Sequence, residues 1–203
     1  MSVALGSQDC YPGTDVLVNL LDERDSERFA RAERLFTAAR IADLLKSPIH
    51  GNFDLEHLKR IHHYIFQDIY PWAGKIRIVD ISKGFRFCHA VYIEKEARKL
   101  FSSLARTLEK GVSDIDGAIR LAAHTLSEIN AIHPFRDGNG RTQREFVREL
   151  MLKLGYTVEY SQVDPSLMLK ASIASFIGDE TLMAGLFRAC TFKNQNLTSK
   201  KNK

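Results

Sequence analysis

Along most of this chain, apolar residues return every three or four positions, and each such stretch is cut off by a proline or a glycine. That combination constrains the fold more than any other feature, because it asks for several short amphipathic helices that must bury their faces on one another. From about Glu27 to Leu45 the apolar set is Phe29, Ala32, Leu35, Phe36, Ala39, Ala42 and Leu45, which predicts one inward helix face ended by Pro48 and Gly51. Asp54 is placed to cap a second helix, whose face is Leu55, Leu58, Ile61, Ile65 and Ile69 and which Pro71 stops. Ala97, Leu100, Phe101, Leu104 and Leu108 predict a third, closed by Gly111. Ser113 and Asp116 are set for a capping-box-like start to a fourth, which runs through Ala118, Leu121, Ala122, Thr125 and Ile129. It must end near Ile132, because Pro134 disfavours helical dihedrals at His133. A fifth runs to Leu154 with Phe146, Leu150 and Leu154 inward and Gly155 just past its end. Asp164-Pro165 opens a penultimate helix, with proline at the first helical position, and a last one follows Gly178.

One region breaks the pattern. Ile76-Arg77-Ile78-Val79-Asp80-Ile81 and the stretch from Phe87 to Ile93 are rich in β-branched and aromatic residues, and Ser82-Lys83-Gly84-Phe85-Arg86 between them reads as a turn. This predicts a β-hairpin over 76–93. Two strands alone are marginal, so the hairpin must pack on the helices or on a partner. The expected fold class is all-α, a helical bundle carrying one small hairpin.

The chain has 203 residues, 44% of them hydrophobic, which suits one domain with a real core. Its net charge of +4 is carried by the end of the sequence: Lys193, Lys200, Lys201 and Lys203 fall within the last eleven residues, which hold no acid. The body is therefore near neutral. Residues 193–203 are expected to be a solvated tail or a cut linker beyond a folded unit of residues 1–192, and a nucleic-acid partner is not expected. Three widely spaced cysteines, Cys10, Cys88 and Cys190, support neither a disulfide framework nor a zinc site and fit a reducing compartment. No secretory leader and no stretch of membrane-spanning length is present, so a cytoplasmic protein with no membrane partner is expected, export by another route remaining compatible.

The chemistry concentrates in His133-Pro134-Phe135-Arg136-Asp137-Gly138-Asn139-Gly140-Arg141-Thr142-Gln143-Arg144, between two amphipathic helices. Gly138, Asn139 and Gly140 all tolerate positive φ, and such a stretch curls its amides into an anion-binding nest. It opens a helix, whose unpaired N–H groups and dipole favour an anion. Arg141 and Arg144, three apart, share a helix face and offer forks that match phosphate oxygens. Asp137 is a hard oxygen ligand suited to Mg²⁺ bound together with phosphates. His133 is an imidazole one loop away, the natural base for an incoming hydroxyl. Phe135 reads as an apolar anchor. Each residue alone has a plainer reading, as turn, cap or solvated cation. Together within twelve residues they point to phosphoryl or nucleotidyl transfer.

This segment resembles the signature of the Fic family: histidine, proline, phenylalanine, one variable residue, an acid, Gly-Asn-Gly-Arg, two variable residues and arginine. Nine of the twelve positions are specified, and all nine are met. Tyr11-Pro12-Gly13-Thr14-Asp15 resembles the family's lead-in. Tyr70-Pro71-Trp72-Ala73-Gly74-Lys75 resembles the entry to its flap hairpin, and the stretch from Ala171 to Gly178 resembles its C-terminal helices around the adenine pocket. The resemblance implies a Fic-type bundle that transfers AMP from ATP, the co-substrate, to a Tyr, Thr or Ser hydroxyl of a target protein. It implies His133 as base, Asp137 as Mg²⁺ ligand, and Gly138, Asn139 and Gly140 as phosphate cradle, with the Asn139 side chain adding a hydrogen bond. Arg141 would hold the β-phosphate and Arg144 the γ-phosphate, with Thr142 and Gln143 also at the nucleotide. Lys83 and Gly84, near the flap tip, would lie over it, and the flap would dock the target by strand addition.

Many Fic proteins inhibit themselves through a glutamate followed by glycine or asparagine. No glutamate in this chain is so followed. The chain thus resembles the class silenced by a separate small antitoxin protein, including toxins of the bacterial cytoplasm and type IV secreted effectors. The alternatives are transfer of another phosphate-containing group on the same fold, or a non-catalytic protein-binding module.

Overall fold

The computed structural model describes residues 9–83 and 85–194. Seven helices carry the described chain: α1 Ser26–Lys46, α2 Leu55–Phe66, α3 Ile93–Lys110, α4 Ile115–Ile132, α5 Asn139–Lys153, α6 Pro165–Phe176 and α7 Thr181–Cys190. Two short ribbons accompany them, β1 Ser82–Lys83 with β2 Phe85–Arg86, and β3 Tyr156–Val158 with β4 Thr191–Lys193, both antiparallel. Helix α4 is central, packed against α3, α5, α6 and α7, while α2 packs against α1, α3 and α5. Fully buried Ile61, Ile65, Phe66, Leu126, Phe135, Phe146 and Leu150 belong to this core, Phe135 from the α4–α5 loop itself and Phe66 directly against Gly138 of that loop.

The helix starts follow local chemistry. Aspartates at 25, 54, 114 and 164 cap α1, α2, α4 and α6, each accepting from an amide of the first turn. The α4 cap is Asp114, whose Oδ1 accepts from Gly117 N at 2.7 Å, and not the expected Ser113. Helix α2 stops at Phe66, so Ile69 reaches the core from a turn in which the amides of Ile69 and Tyr70 both bond the Phe66 carbonyl.

Three expectations need correction. First, α1 keeps Phe29 inward but otherwise presents a different stripe. Phe29, Thr37 and Leu44 are buried, while Leu35, Phe36 and Leu45 are 65%, 43% and 58% exposed. The inward stripe contains Glu33, Thr37 and Arg40, which find partners in Arg141 and Asp68. Satisfying those half-buried charges sets the rotation of the helix in place of apolar periodicity.

Second, the hairpin is short. Strand pairing is confined to Ser82↔Arg86 and Lys83↔Phe85, inside the expected turn. The segments expected to be strands pair with the bundle instead: Arg77 N bonds the Pro134 carbonyl at 2.9 Å and Cys88 N the Ala131 carbonyl at 3.1 Å. Asp80 bonds His89 Nδ1 and Ala90 N, and Ala90–Tyr92 forms a 3-10 turn leading into α3.

Third, β4 crosses the 192/193 position at which the folded unit was expected to end. Tyr156 faces Lys193, and Asn194 N bonds the Gly155 carbonyl. The remaining tail lysines lie outside the described residues. No helix among the described residues is long and apolar enough to cross a membrane.

Candidate active site

Helix α4 ends on His133, whose backbone is left-handed (φ 49°, ψ 63°) and whose N–H bonds the Ile129 carbonyl. Its Nδ1 meets the Asn130 carbonyl at 3.2 Å. A carbonyl only accepts, so the proton belongs on Nδ1 and the ring's lone pair sits at Nε2, the arrangement a general base requires. Phe87, from the second flap arm, lies flat on the imidazole at 3.8 Å and 14°.

The loop after His133 is locked from beneath. Phe135 is fully buried and stacks on His62 at 3.9 Å, and Phe66 stacks on the same ring at 4.7 Å. His62 Nδ1 accepts from Gly74 N at 2.8 Å, so its Nε2 carries the proton and donates to the Asp137 carbonyl at 3.1 Å. Burial pushes the His62 pKa down to about 4, so the ring is neutral at physiological pH. Asn139 closes the loop with both ends of its amide: Oδ1 accepts from Phe135 N and Nδ2 donates to Phe135 O. The hydrogen bond expected from this side chain to phosphate gives way to a loop clip, because the amide is buried and turned inward.

Helix α5 then begins without a side-chain cap. The expected run of positive φ narrows to Gly138 (φ 76°), since Asn139 and Gly140 already belong to the helix. A Cβ at Gly138 would overlap the Phe66 ring, so glycine is required there for space as well as for dihedral. The expected three-residue nest is thus replaced by a helix N-terminus whose first-turn amides have no side-chain cap.

The two arginines, expected side by side, have different surroundings. Arg141 reaches α1: Nη2 bonds Glu33 Oε1 at 2.9 Å, Nη1 bonds Thr37 Oγ1 at 3.2 Å, and the guanidinium covers the Phe66 ring at 4.6 Å. Tyr70 donates to the same Glu33 oxygen. Arg144 is half-buried, its pKa lowered chiefly by desolvation, and among the described residues it has no carboxylate partner. Asp137 keeps 44% of its side chain exposed, with Oδ1 on the Gly138 amide and 4.0 Å from Arg141. Thr142 and Gln143, expected at the nucleotide, point inward. The Thr142 hydroxyl bonds the Gly138 carbonyl and Gln143 Nε2 meets Asn130 Oδ1, both side chains being buried in the α4–α5 contact. Lys83 lies in β1; its side chain and Gly84 fall outside the description.

Sequence reasoning missed Glu33, His62, Arg77 and Phe87. A signal existed for Arg77. It stands between Ile76 and Ile78 in a stretch of alternating character, and the structure buries the arginine while leaving Ile78 91% exposed. His62 sits beside Ile61 on the α2 core face, where polar residues need a partner.

The bundle thus ends one helix on a histidine and opens the next without a side-chain cap. A model of the Fic/DOC family matches residues 52–151. Protein adenylyltransferase VbhT of Bartonella schoenbuchensis is 41% identical over 186 residues, 90% of this chain and 39% of its own length. The probable protein adenylyltransferase y4lH of Sinorhizobium fredii is 40% identical over 181 residues, 88% of this chain and 93% of its own. The crystal structure of BepC, a VirB-translocated effector of Bartonella tribocorum with bound AMPPNP, matches with TM-score 0.85 and 25% identity, covering 94% of this chain and 99% of that one. The chain belongs to the Fic/DOC family; it spans about two fifths of VbhT and nearly the whole of y4lH.

Proposed function

We propose that the chain is a protein adenylyltransferase, moving AMP from ATP to a hydroxyl side chain of a target protein with release of pyrophosphate. The observation that carries this reading is the His133 tautomer: Nδ1–H is held by the Asn130 carbonyl, so Nε2 is set to accept a proton beside an uncapped helix N-terminus. The names of VbhT and y4lH and the nucleotide analogue in BepC support the same reaction class.

In this reading the target hydroxyl gives its proton to His133 Nε2 as its oxygen attacks the α-phosphate and pyrophosphate leaves. The α5 amides at Asn139 and Gly140 hold the phosphates, Arg144 takes the γ-phosphate, and Arg141, oriented by Glu33 and Thr37, takes the β-phosphate. The exposed oxygen of Asp137 fits Mg²⁺ bound together with phosphates, and that ion would supply charge neutralisation. The flap would align the target by backbone pairing, with Lys83 and Gly84 over the nucleotide. Arg144, without a carboxylate of its own among the described residues, suits an antitoxin glutamate supplied in trans, which would compete with the γ-phosphate.

Incubation with labelled ATP and lysate, followed by mass spectrometry, tests the transfer: AMP, phosphate and phosphocholine leave different added masses. His133→Ala is expected to lower transfer on the order of 10²–10⁴-fold with ATP binding retained by calorimetry. Loss of ATP binding together with transfer would make His133 structural and remove this reading. Co-expression with a neighbouring small open reading frame, scored by growth and target labelling, tests control in trans.

A further inference from the structure

Arg77 is almost wholly buried, and among the described residues its one ion partner is Asp80, at 3.9 Å. Its donors go to backbone carbonyls from three segments. Nε bonds His133 O at 2.8 Å and Nη1 bonds Val79 O at 2.7 Å, while Nη2 bonds both Cys88 O and Ile132 O. Its own amide bonds Pro134 O. The His133 and Ile132 carbonyls belong to the end of α4, where helical carbonyls lose their amide partners and carry the negative end of the dipole. The Val79 and Cys88 carbonyls belong to the two flap arms. One planar fork therefore ties the residue that ends α4 to both arms, and one of those arms carries the Phe87 ring stacked on His133. Lysine has a single ammonium and cannot span four carbonyls set around a plane.

We infer that Arg77 is a positioning residue, fixing the His133 imidazole and the two flap arms in one register so that base and docked target meet. The inference rests on the reading of His133 as the base. A residue that merely filled space would serve as well with its carbonyls satisfied by other donors; a register device would not, because among the described residues the guanidinium is the one side chain that bonds the end of α4 and both arms at once, whereas the Cys88 amide ties a single arm to α4. A misplacement of about 1 Å at a reacting group costs on the order of 10²-fold in rate.

The test uses Arg77→Lys and Arg77→Gln in the full chain. Transfer kinetics, ATP calorimetry and NMR of the ¹³C-labelled His133 ring are measured, the resonance being assigned by its loss in His133→Ala. In a folded variant, kcat is expected to fall on the order of 10²-fold and the target KM to rise, with ATP affinity unchanged. The His133 ring protons should move downfield as the Phe87 stack is lost. A folded Arg77→Lys variant with wild-type kcat and wild-type ring shift overturns the proposal. If neither variant folds, hydrogen exchange of the wild type decides. The Arg77 and Cys88 amides should exchange as slowly as those of the α4 interior, and exchange at unprotected rates overturns the clasp. If the wild type transfers nothing but Arg77→Lys still moves the ring resonance, the register device stands and the base reading falls.

Discussion

Helices α4 and α5 meet at one loop and begin in opposite ways. Helix α4 starts on Asp114, whose carboxylate takes the Gly117 amide, as aspartates do for α1, α2 and α6. Helix α5 starts on Gly138, which has no side chain to cap the first turn, and the neighbouring Asp137 takes only the Gly138 amide itself. A cap stabilises a helix by satisfying orphan amides from within the chain. Leaving them open forgoes that stabilisation, and in the proposed function it leaves room for an anion from outside. Helices α3 and α7 also start without a side-chain cap, so a missing cap alone does not mark a ligand site; the α5 start differs from them in lying beside His133, Asp137 and Arg144 in one loop and turn.

Placing a methyl group at the open end gives the largest expected effect. Gly138→Ala combines a left-handed dihedral with overlap on the Phe66 ring, costing about 3 kcal/mol or more, and nucleotide binding should be lost as the loop shifts. A melt and an ATP titration check both. Wild-type stability with intact ATP binding would show that the open end is not what holds the phosphates.

The support under that end titrates. Burial depresses the folded pKa of His62 below its unfolded value, so the stability of the neutral ring is complete above about pH 6.5 and drains away as pH falls towards 4, by about 3 kcal/mol at most. Denaturant unfolding at several pH values should show this slope in the wild type and a shallower one in His62→Gln, which does not titrate there. Equal slopes would place the acid sensitivity elsewhere.

Arg144→Ala removes a cation from the open end without touching a buried ion pair. ATP affinity should fall about tenfold to a hundredfold, the value of a charged hydrogen bond, while the melting temperature barely moves. The reverse result, a large thermal loss with unchanged affinity, would assign the arginine to the fold.

The smallest effect belongs to the closed end. Asp114→Ala should cost about 1 kcal/mol and leave ATP affinity and transfer as they were. A loss of affinity there would erase the distinction between the two helix starts.

Legibility followed the same line. The caps at Asp54 and Asp164, the proline at the start of α6, the stop at Gly111 and the α2 core face were all readable, because each depends on a few neighbouring residues. The family was readable from His133 to Arg144, since nine fixed positions leave little room for chance. What escaped was decided across the fold. The rotation of α1 depends on Glu33 meeting Arg141, 108 positions away. The flap arms depend on carbonyls of Ala131 and Pro134 and not on each other. The Asn139 amide and the Thr142 hydroxyl are polar groups whose partners lie within the loop itself, and type alone does not say whether such a group faces ligand or backbone. β3 and β4 are three residues each and meet only after α6 and α7 have folded back.

The left-handed backbone at His133 has an evolutionary consequence. A helix C-cap of this geometry favours glycine, and another residue there carries roughly 1 kcal/mol of strain. Imidazole therefore occupies a position that backbone conformation alone would give to glycine. In the proposed reaction, stability and turnover pull on residue 133 in opposite directions. A scaffold freed of that reaction would gain stability by exchanging histidine for glycine here.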